Sequence, residues 1–286
     1  MATIPPVLAR PARLLSGPFR KAGGSLEDLG GQLAFYARAI AWMPRTLVHY
    51  PREVLRLLAE VSLGSGALLV GGGTVGVIFF LSFFTGTQVG LEGFKGLQLI
   101  GAEAFSGFVS AFGNTREITP LIAGITLAAQ VGCGFTAQLG AMRISEEVDA
   151  LEVMGIPSVP FLVTTRMIAA FIAVIPLYLV SLFSSFLATR LVVTTFFGQS
   201  KGTYDHYFKL FLPPLDVFYS LAKVLVFAVV VTLIHCYYGY YASGGPEGVG
   251  VAVGRAIRTS IVAIVVLNFF LSLAFWGASD TVRIAG

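Results

Sequence analysis

The chain has 286 residues, of which 56% are hydrophobic and only 12% are charged. Soluble domains carry about 25% charged residues, so this composition excludes an ordinary water-soluble enzyme and predicts an all-α integral membrane protein. The net charge of +4 does not indicate nucleic-acid binding, because the Lys and Arg residues flank apolar runs, where they orient a protein in its membrane.

Residues 1–60 predict a cytoplasmic N-terminus with amphipathic helices that lie in the membrane interface. Between Leu26 and Leu58, apolar residues are mixed with aromatic residues and with four arginines, a composition typical of interfacial helices. Pro44 and Pro51 should break this segment into pieces. A cytosolic helical tail is the alternative.

Five apolar stretches are long enough to cross a bilayer, which takes roughly 20 helical residues. The shorter apolar segment Leu97–Phe112 is interrupted by Glu103, so we expect it to form a surface or re-entrant helix on the outer side. One helical bundle therefore covers residues 61–278, and an outer tail follows at 279–286. The predicted spans are residues 61–84, 118–142, 161–193, 217–242 and 260–278.

The distribution of Lys and Arg predicts the orientation. With an odd number of spans the two ends lie on opposite sides, and eight Lys and Arg residues precede Val61. Because positive residues collect on the cytoplasmic side, the N-terminus is predicted to lie inside and the C-terminus outside the cell membrane.

The loop between the second and third spans carries the densest acidic stretch of the chain. It reads RISEEVDALEVMGIP from Arg143 to Pro157, and four of the fifteen acidic residues occur within seven positions. Ser145 suits a helix N-cap and Gly155 a stop, which predicts a helix of about three turns over 145–155.

Helical spacing gives this loop helix two faces. One face would rest on the membrane domain or in a partner's groove, and the other would present carboxylates; an ordinary solvated loop helix is the alternative. The acidic stripe comprises Glu146, Asp149 and Glu152, and the apolar stripe Val148, Leu151 and Met154.

Charged residues beside the spans are the other functional candidates, because ionisable groups in a membrane are costly. Arg116 and Glu117 adjoin the second span, and Asp216 and Lys223 lie two turns apart at the start of the fourth. One expectation is that they anchor helix ends at the interface or pair with one another; the alternative is that Glu117 and Lys223 line an outer cavity that meets a lipid head group.

Other residue types argue against a membrane-embedded lipid enzyme and against a metal site. The three histidines, His49, His206 and His235, are scattered along the chain, and no ligand cluster accompanies Cys133 or Cys236. We interpret His235 and both cysteines as packing residues.

Three motifs resemble the MlaE/YrbE permease family: EEVDALEVMGIP in the acidic loop, REITP at Arg116–Pro120 and GGPEGVGVAVGRAIRTS at Gly244–Ser260. The similarity extends over roughly Val54–Gly277 and includes LDVFYSLAK at Leu215–Lys223. These permeases are the transmembrane subunits of ABC-type lipid transporters that work with Mce-domain proteins.

The resemblance implies that the acidic loop is a coupling helix that docks on a cytoplasmic ABC ATPase dimer. It also implies a second YrbE-type permease subunit, Mce-domain proteins on the outer face and a lipid substrate in a cavity between the permeases. No Walker motif occurs, so no cofactor is expected on this chain and ATP with Mg would be held by the partner. The implied coupling residues are Glu146, Glu147, Asp149, Leu151, Glu152, Met154 and Gly155.

The chain departs from many relatives at Gln130, Gln138 and Asn268, where charged residues are usual. It is most similar to the B-type subunit of the actinobacterial branch, in which two unlike permeases pair, and this implies import of fatty or mycolic acids or sterols. The lipid-pathway candidates are Arg116, Glu117, Gln130 and Lys223. A structural, non-conducting partner subunit is the alternative function.

Overall fold

The computed structural model describes residues 30–63 and 73–277. Within these ranges the chain is helical and contains no strand, which confirms the all-α prediction. In chain order the helices are α1 (30–41), α2 (Met43–His49), α3 (Pro51–Leu63), α4 (Gly73–Gln98), α5 (Glu103–Ile144), α6 (Glu147–Val153), α7 (Val159–Phe196), α8 (Lys201–Leu210), α9 (Pro214–Tyr240) and α10 (Gly245–Trp276).

Five of these helices are long and apolar enough to cross a membrane: α4, α5, α7, α9 and α10. They contain 26, 42, 38, 27 and 32 residues. At about 1.5 Å per residue, even the shortest exceeds a hydrocarbon core of about 30 Å. The protein is therefore an all-α integral membrane protein, and its described residues contain five candidate spans, as the sequence predicts.

The predicted bounds of the first and last spans are wrong. Val61–Leu63 ends α3, and the first spanning helix runs from Gly73 to Gln98, beyond the predicted end at residue 84; residues 64–72 lie outside the described ranges. The last span begins at Gly245 rather than 260. The predicted first span stops before the polar stretch Thr85–Gln88 and the predicted last span begins after Arg258, whereas the helices continue through these positions. Residue 278 and the predicted outer tail, 279–286, lie outside the residues that the structure describes.

The prediction of a separate surface helix over 97–112 is also wrong. A short turn with Gly101 at φ 70° follows α4, and α5 then runs from Glu103 to Ile144. Wide, i→i+5 turns over Ser110–Ile118 precede Pro120, whose missing N–H would interrupt a regular α-helical pattern. Residues 103–112 are thus the first part of α5, and their place in the membrane or at its outer surface stays a prediction.

The helix α7 lies at the centre of the bundle and packs closely on α4. Ser184 donates a hydrogen bond to the carbonyl of Phe79 (2.8 Å), and Thr189 donates to the carbonyl of Gly86 (2.8 Å). A Cβ atom on Gly86 would lie 2.5 Å from the Ser185 carbonyl oxygen, so only glycine permits this approach. Small residues let membrane helices meet backbone to backbone.

The N-terminal helices are attached to one end of the bundle. Phe35 and Ala39 of α1 are buried, and Thr164 of α7 donates a hydrogen bond to the Ala39 carbonyl (3.0 Å). Burial also raises the pKa of the Tyr36 phenol. Exposed apolar residues such as Leu33 and Leu55 lie on the opposite side, so α1–α3 are amphipathic, and their place in the membrane interface stays a prediction.

Candidate functional site: the α6 loop and a charged cluster

The loop helix α6 is shorter than predicted. It begins at Glu147, and the preceding Glu146 has a left-handed backbone with φ 62°. Ser145 is not an N-cap: its hydroxyl donates to the Ala141 carbonyl (3.0 Å) and to the Glu147 carboxylate (2.9 Å). The helix ends before Gly155, whose φ of 77° suits glycine, so α6 has two turns rather than three.

The faces of α6 agree with the predicted stripes except at one position. Val148 is fully buried and Leu151 packs against the core, whereas Met154 is 65% exposed because it follows the last turn of the helix. The neighbouring Val153 is 89% exposed. The three carboxylates of the predicted acidic stripe, Glu146, Asp149 and Glu152, are exposed. The tip of this loop therefore presents two apolar side chains next to a set of acidic ones.

Hydrogen bonds fix α6 to two spanning helices. Arg143, at the end of α5, pairs with Asp149 at 2.5 Å. Ser158 donates to the Glu152 carboxylate at 2.6 Å and lies 2.7 Å from the hydroxyl of Tyr240, which is 3.3 Å from Glu152. Because Tyr240 ends α9, a displacement of α6 acts on α9 as well as on its neighbours in sequence.

A second polar contact joins the N-terminal helices to the bundle at this end. Gln138 of α5 donates to the Glu60 carboxylate of α3, and the Arg166 guanidinium of α7 donates to the Gln138 side-chain oxygen (3.3 Å). On α3 itself, hydrogen bonding to Glu53 raises the pKa of Arg56. Sequence reasoning singled out Gln138 but missed its two partners, since the contact joins three distant segments.

At the opposite end of the bundle, charged residues of α5 and α9 pair in a buried position. The Arg116 guanidinium contacts the Asp216 carboxylate at 2.7 Å, and the indole N–H of Trp276 donates to the same carboxylate at 2.9 Å. Arg116 also lies over the ring of Phe112 at 4.1 Å. The predicted pairing of these charged residues with one another is thus present, although Arg116 lies within α5 and not at its end.

Lys223 and Glu117 complete this charged cluster. The Lys223 side chain is fully buried; its ammonium donates to the Arg116 carbonyl (2.6 Å) and lies 3.5 Å from Glu117. Glu117 also accepts hydrogen bonds from Asn268 (2.6 Å) and Ser272 of α10. Two positive and two negative side chains therefore balance, while Glu117 is 43% exposed.

The cluster brings together three of the four predicted lipid-pathway residues. Gln130 lies fourteen positions after Arg116 on α5, about 20 Å along the helix, and is exposed. In the sequence, the seven-residue spacing of Asp216 and Lys223 indicates that both side chains lie on the same face of α9. Nothing in the sequence indicated that Ser272 and Trp276 would join them.

His235 has the packing role predicted for it. Its Nδ1 lies 2.8 Å from the Thr136 hydroxyl, and its ring lies so close to Gly132 that a Cβ there would be 2.5 Å from it. Both cysteines are free thiols. Over residues 30–63 and 73–277, His, Cys, Asp and Glu form no group of three that could hold a metal ion.

Comparison with known proteins identifies the family of this bundle. The sequence model described as Permease MlaE matches residues 64–274. The chain belongs to the MlaE permease family. The match spans α4 to α10, including α6 and the charged cluster, and confirms the predicted resemblance to this family. The match is to the family as a whole, so the assignment to the actinobacterial branch stays a prediction.

Individual relatives agree with this MlaE assignment. A probable ABC transporter permease of Rickettsia bellii is 32% identical over 73% of this chain and 81% of that protein. A probable ABC transporter permease of Synechocystis is 31% identical over 74% of this chain and 81% of its own length. The chloroplast protein TRIGALACTOSYLDIACYLGLYCEROL 1 of Arabidopsis thaliana is 30% identical over 73% of this chain and 60% of its own length. This MlaE-family protein is thus a transporter membrane subunit rather than an enzyme.

Proposed function

We propose that this protein is the permease subunit of an ATP-driven Mce-type lipid transporter in the cell membrane, and that α6 is its contact with a cytoplasmic ABC ATPase dimer. The observation that carries the proposal is the exposed tip of α6, where Val153 and Met154 lie beside exposed Asp and Glu side chains on a helix fixed to α5 and α9. Apolar residues exposed at a protein surface and rimmed by polar groups are typical of an interaction site.

The partners follow from family membership and from the proposed orientation. With α6 on the cytoplasmic side, the charged cluster lies near the outer surface, where Mce-domain proteins and a second permease subunit would receive or deliver lipid. ATP and Mg would be bound by the ATPase dimer, which supplies the energy of transport. Two relatives are named as probable ABC transporter permeases, which supports the proposal that a separate ATPase subunit hydrolyses ATP.

The lipid pathway is proposed to pass beside Glu117. Arg116, Asp216 and Lys223 are buried and satisfy one another, so they stabilise the helix ends, whereas Glu117 is 43% exposed and reaches the surface of the cluster. Gln130 is exposed at mid-helix and would contact acyl chains or the second subunit. Fatty acids, mycolic acids or sterols taken up from outside are the proposed substrates.

A structural, non-conducting subunit is the second candidate. Asn268 favours this alternative, because its neutral side chain donates a hydrogen bond to the Glu117 carboxylate. The cluster then has no net charge that would attract a lipid head group. Photo-crosslinking distinguishes the two: transported lipid should label α5 and α10 near Glu117 if this subunit conducts, and only the second permease if it does not.

The ATPase contact is tested with the double variant Val153→Asp/Met154→Asp. Both side chains are exposed, so the bundle should fold as before while the ATPase no longer co-purifies with the tagged chain. The matched control is Leu99→Asp/Ile100→Asp, which changes two equally exposed residues at the opposite end and should retain the ATPase. Undiminished co-purification with Val153→Asp/Met154→Asp would overturn the coupling role of α6.

A further inference from the structure

A cavity of about 630 Å³ lies at the end of the bundle that carries α6 and belongs neither to α6 nor to the charged cluster. The end of α9, the turn that follows it, the first three turns of α10 and Gln32 of α1 form its walls. Tyr237, Tyr238 and Tyr241 supply an aromatic wall, and Gly248 and Ala252 leave the space open.

Two opposite charges line this cavity without neutralising each other. Glu247 and Arg255 are both exposed, and they lie eight residues apart on α10, about 12 Å along its axis. Among the described residues, neither charged group forms a side-chain ion pair. Charged groups at the wall of a cavity favour a ligand that carries both complementary charges, since a singly charged ligand would meet repulsion from one of them.

The order of these charges relative to the membrane matches a phospholipid. Glu247 lies in the first turn of α10, at the end facing water, and Arg255 lies two turns deeper towards the membrane. In a zwitterionic phospholipid the phosphate is next to the glycerol and acyl chains, while the ammonium group projects further into water. Arg255 is placed for the phosphate, and Glu247 with the tyrosine rings for the ammonium group.

The surface of α10 continues this site into the membrane. Positions 247, 251 and 255 follow one face of the helix, and the same face continues through Val262 and Val266, about 10 and 16 Å beyond Arg255 and so within the same leaflet. These two side chains are 64% and 48% exposed, and α10 is the least buried of the five spans. An apolar stripe in line with the cavity offers contacts for acyl chains.

We propose that this cavity binds the head group of a zwitterionic phospholipid such as phosphatidylethanolamine, from the leaflet on the α6 side, with its acyl chains along α10. The lipid is a bound constituent of the permease, separate from the transported substrate at the other end. The site would hold α1 against α9 and α10, since all three line the cavity. The proposal requires no ATPase and no transport activity.

The test uses the full chain in nanodiscs of equal parts phosphatidylethanolamine and phosphatidylglycerol, with a diazirine on the acyl chain of one lipid or the other. Labelling of the α10 peptide is then measured by mass spectrometry. The wild type should be labelled several-fold more by phosphatidylethanolamine, and Arg255→Gln should lower its labelling by about tenfold, the effect of one charge-assisted hydrogen bond. Glu247→Lys should reverse the preference in favour of phosphatidylglycerol.

The control is Arg258→Gln, which removes an equal charge one turn away, outside the cavity wall, from a side chain that bonds the Gly254 carbonyl. It should leave the lipid preference unchanged, and each variant must elute as a monodisperse peak. Equal labelling of the wild type by both lipids would overturn the proposal. So would an Arg258→Gln variant that loses labelling as strongly as Arg255→Gln.

Discussion

At the scale of single residues, the bundle buries three charged side chains of the cluster, those of Arg116, Asp216 and Lys223, away from water. Removing a charge from water costs several kcal/mol, which an ion pair offsets only when its geometry is good and its remaining hydrogen bonds are made. Arg116 and Asp216 meet these conditions, with a contact of 2.7 Å and a second donor from Trp276. The pairing explains how polar residues persist at the start of α5.

Replacing Asp216 with Asn should destabilise the fold by about 3–5 kcal/mol, because the Arg116 charge stays buried beside a neutral amide. The measurement is the thermal unfolding midpoint of the purified protein in detergent. The double variant Arg116→Met/Asp216→Leu removes both charges and should recover most of the loss. An Asp216→Asn variant that unfolds at the wild-type temperature would contradict this account of the pair.

At the scale of elements, each predicted span overlaps one of the five spanning helices, but the ends of the helices differ from the prediction. The predicted second span began at residue 118 because Ser110, Asn114, Thr115 and Arg116 look too polar for a membrane helix. In the structure all four are buried against neighbouring helices. Asn114 bonds Thr189 and Arg116 pairs with Asp216, and both partners are distant in the chain, so a criterion based on local hydropathy had no means of including them.

The contact between α6 and α9 predicts a specific effect on loop motion. Tyr240→Phe removes the hydroxyl that lies beside Ser158 and Glu152, so α6 should open more often and its amide hydrogens should exchange faster. Hydrogen exchange of peptides covering Glu147–Val153 provides the measurement. Tyr238→Phe is the control, since that hydroxyl contacts Thr259 instead, and equal exchange in both variants would argue against the contact.

The packing of α4 on α7 predicts a contrast between two glycines of the same helix. Gly86→Ala should lower stability by roughly 1–3 kcal/mol, because the new methyl group would meet the Ser185 backbone. Gly96→Ala should be neutral or slightly stabilising, as open space surrounds that position and Ala favours the helix. Unfolding midpoints of the two variants test this, and an equal loss in both would refute the close contact.

At the scale of the whole molecule, the five spans assign every connecting segment to one of two faces. The structure places α1 and α6 together at one end, through contacts such as Thr164 with Ala39, and α8 with the charged cluster at the other. The order of the predicted spans implies this division, whereas the side that faces the cytoplasm, predicted from Lys and Arg, stays a prediction. The sequence could not anticipate the cavity between α1, α9 and α10, whose lining residues are separated by about two hundred positions.

The proposed orientation is open to a direct test with cysteine labelling. In a background lacking Cys133 and Cys236, a membrane-impermeant maleimide applied to intact cells should label Glu92→Cys and leave Val153→Cys unlabelled. Both positions are highly exposed, so accessibility of the side chain is matched. Permeabilising the membrane should then expose Val153→Cys, and labelling of Val153→Cys in intact cells would reverse the orientation.

The odd number of candidate spans within residues 30–63 and 73–277 constrains how this part of the protein can be engineered. Residue 30 lies at the end of the bundle that carries α6, whereas Gly277 follows α10 at the other end. Two copies therefore cannot be joined head to tail into one functional polypeptide by a flexible linker alone. The junction would need an additional hydrophobic helix, so that the second copy starts on the correct side of the bilayer.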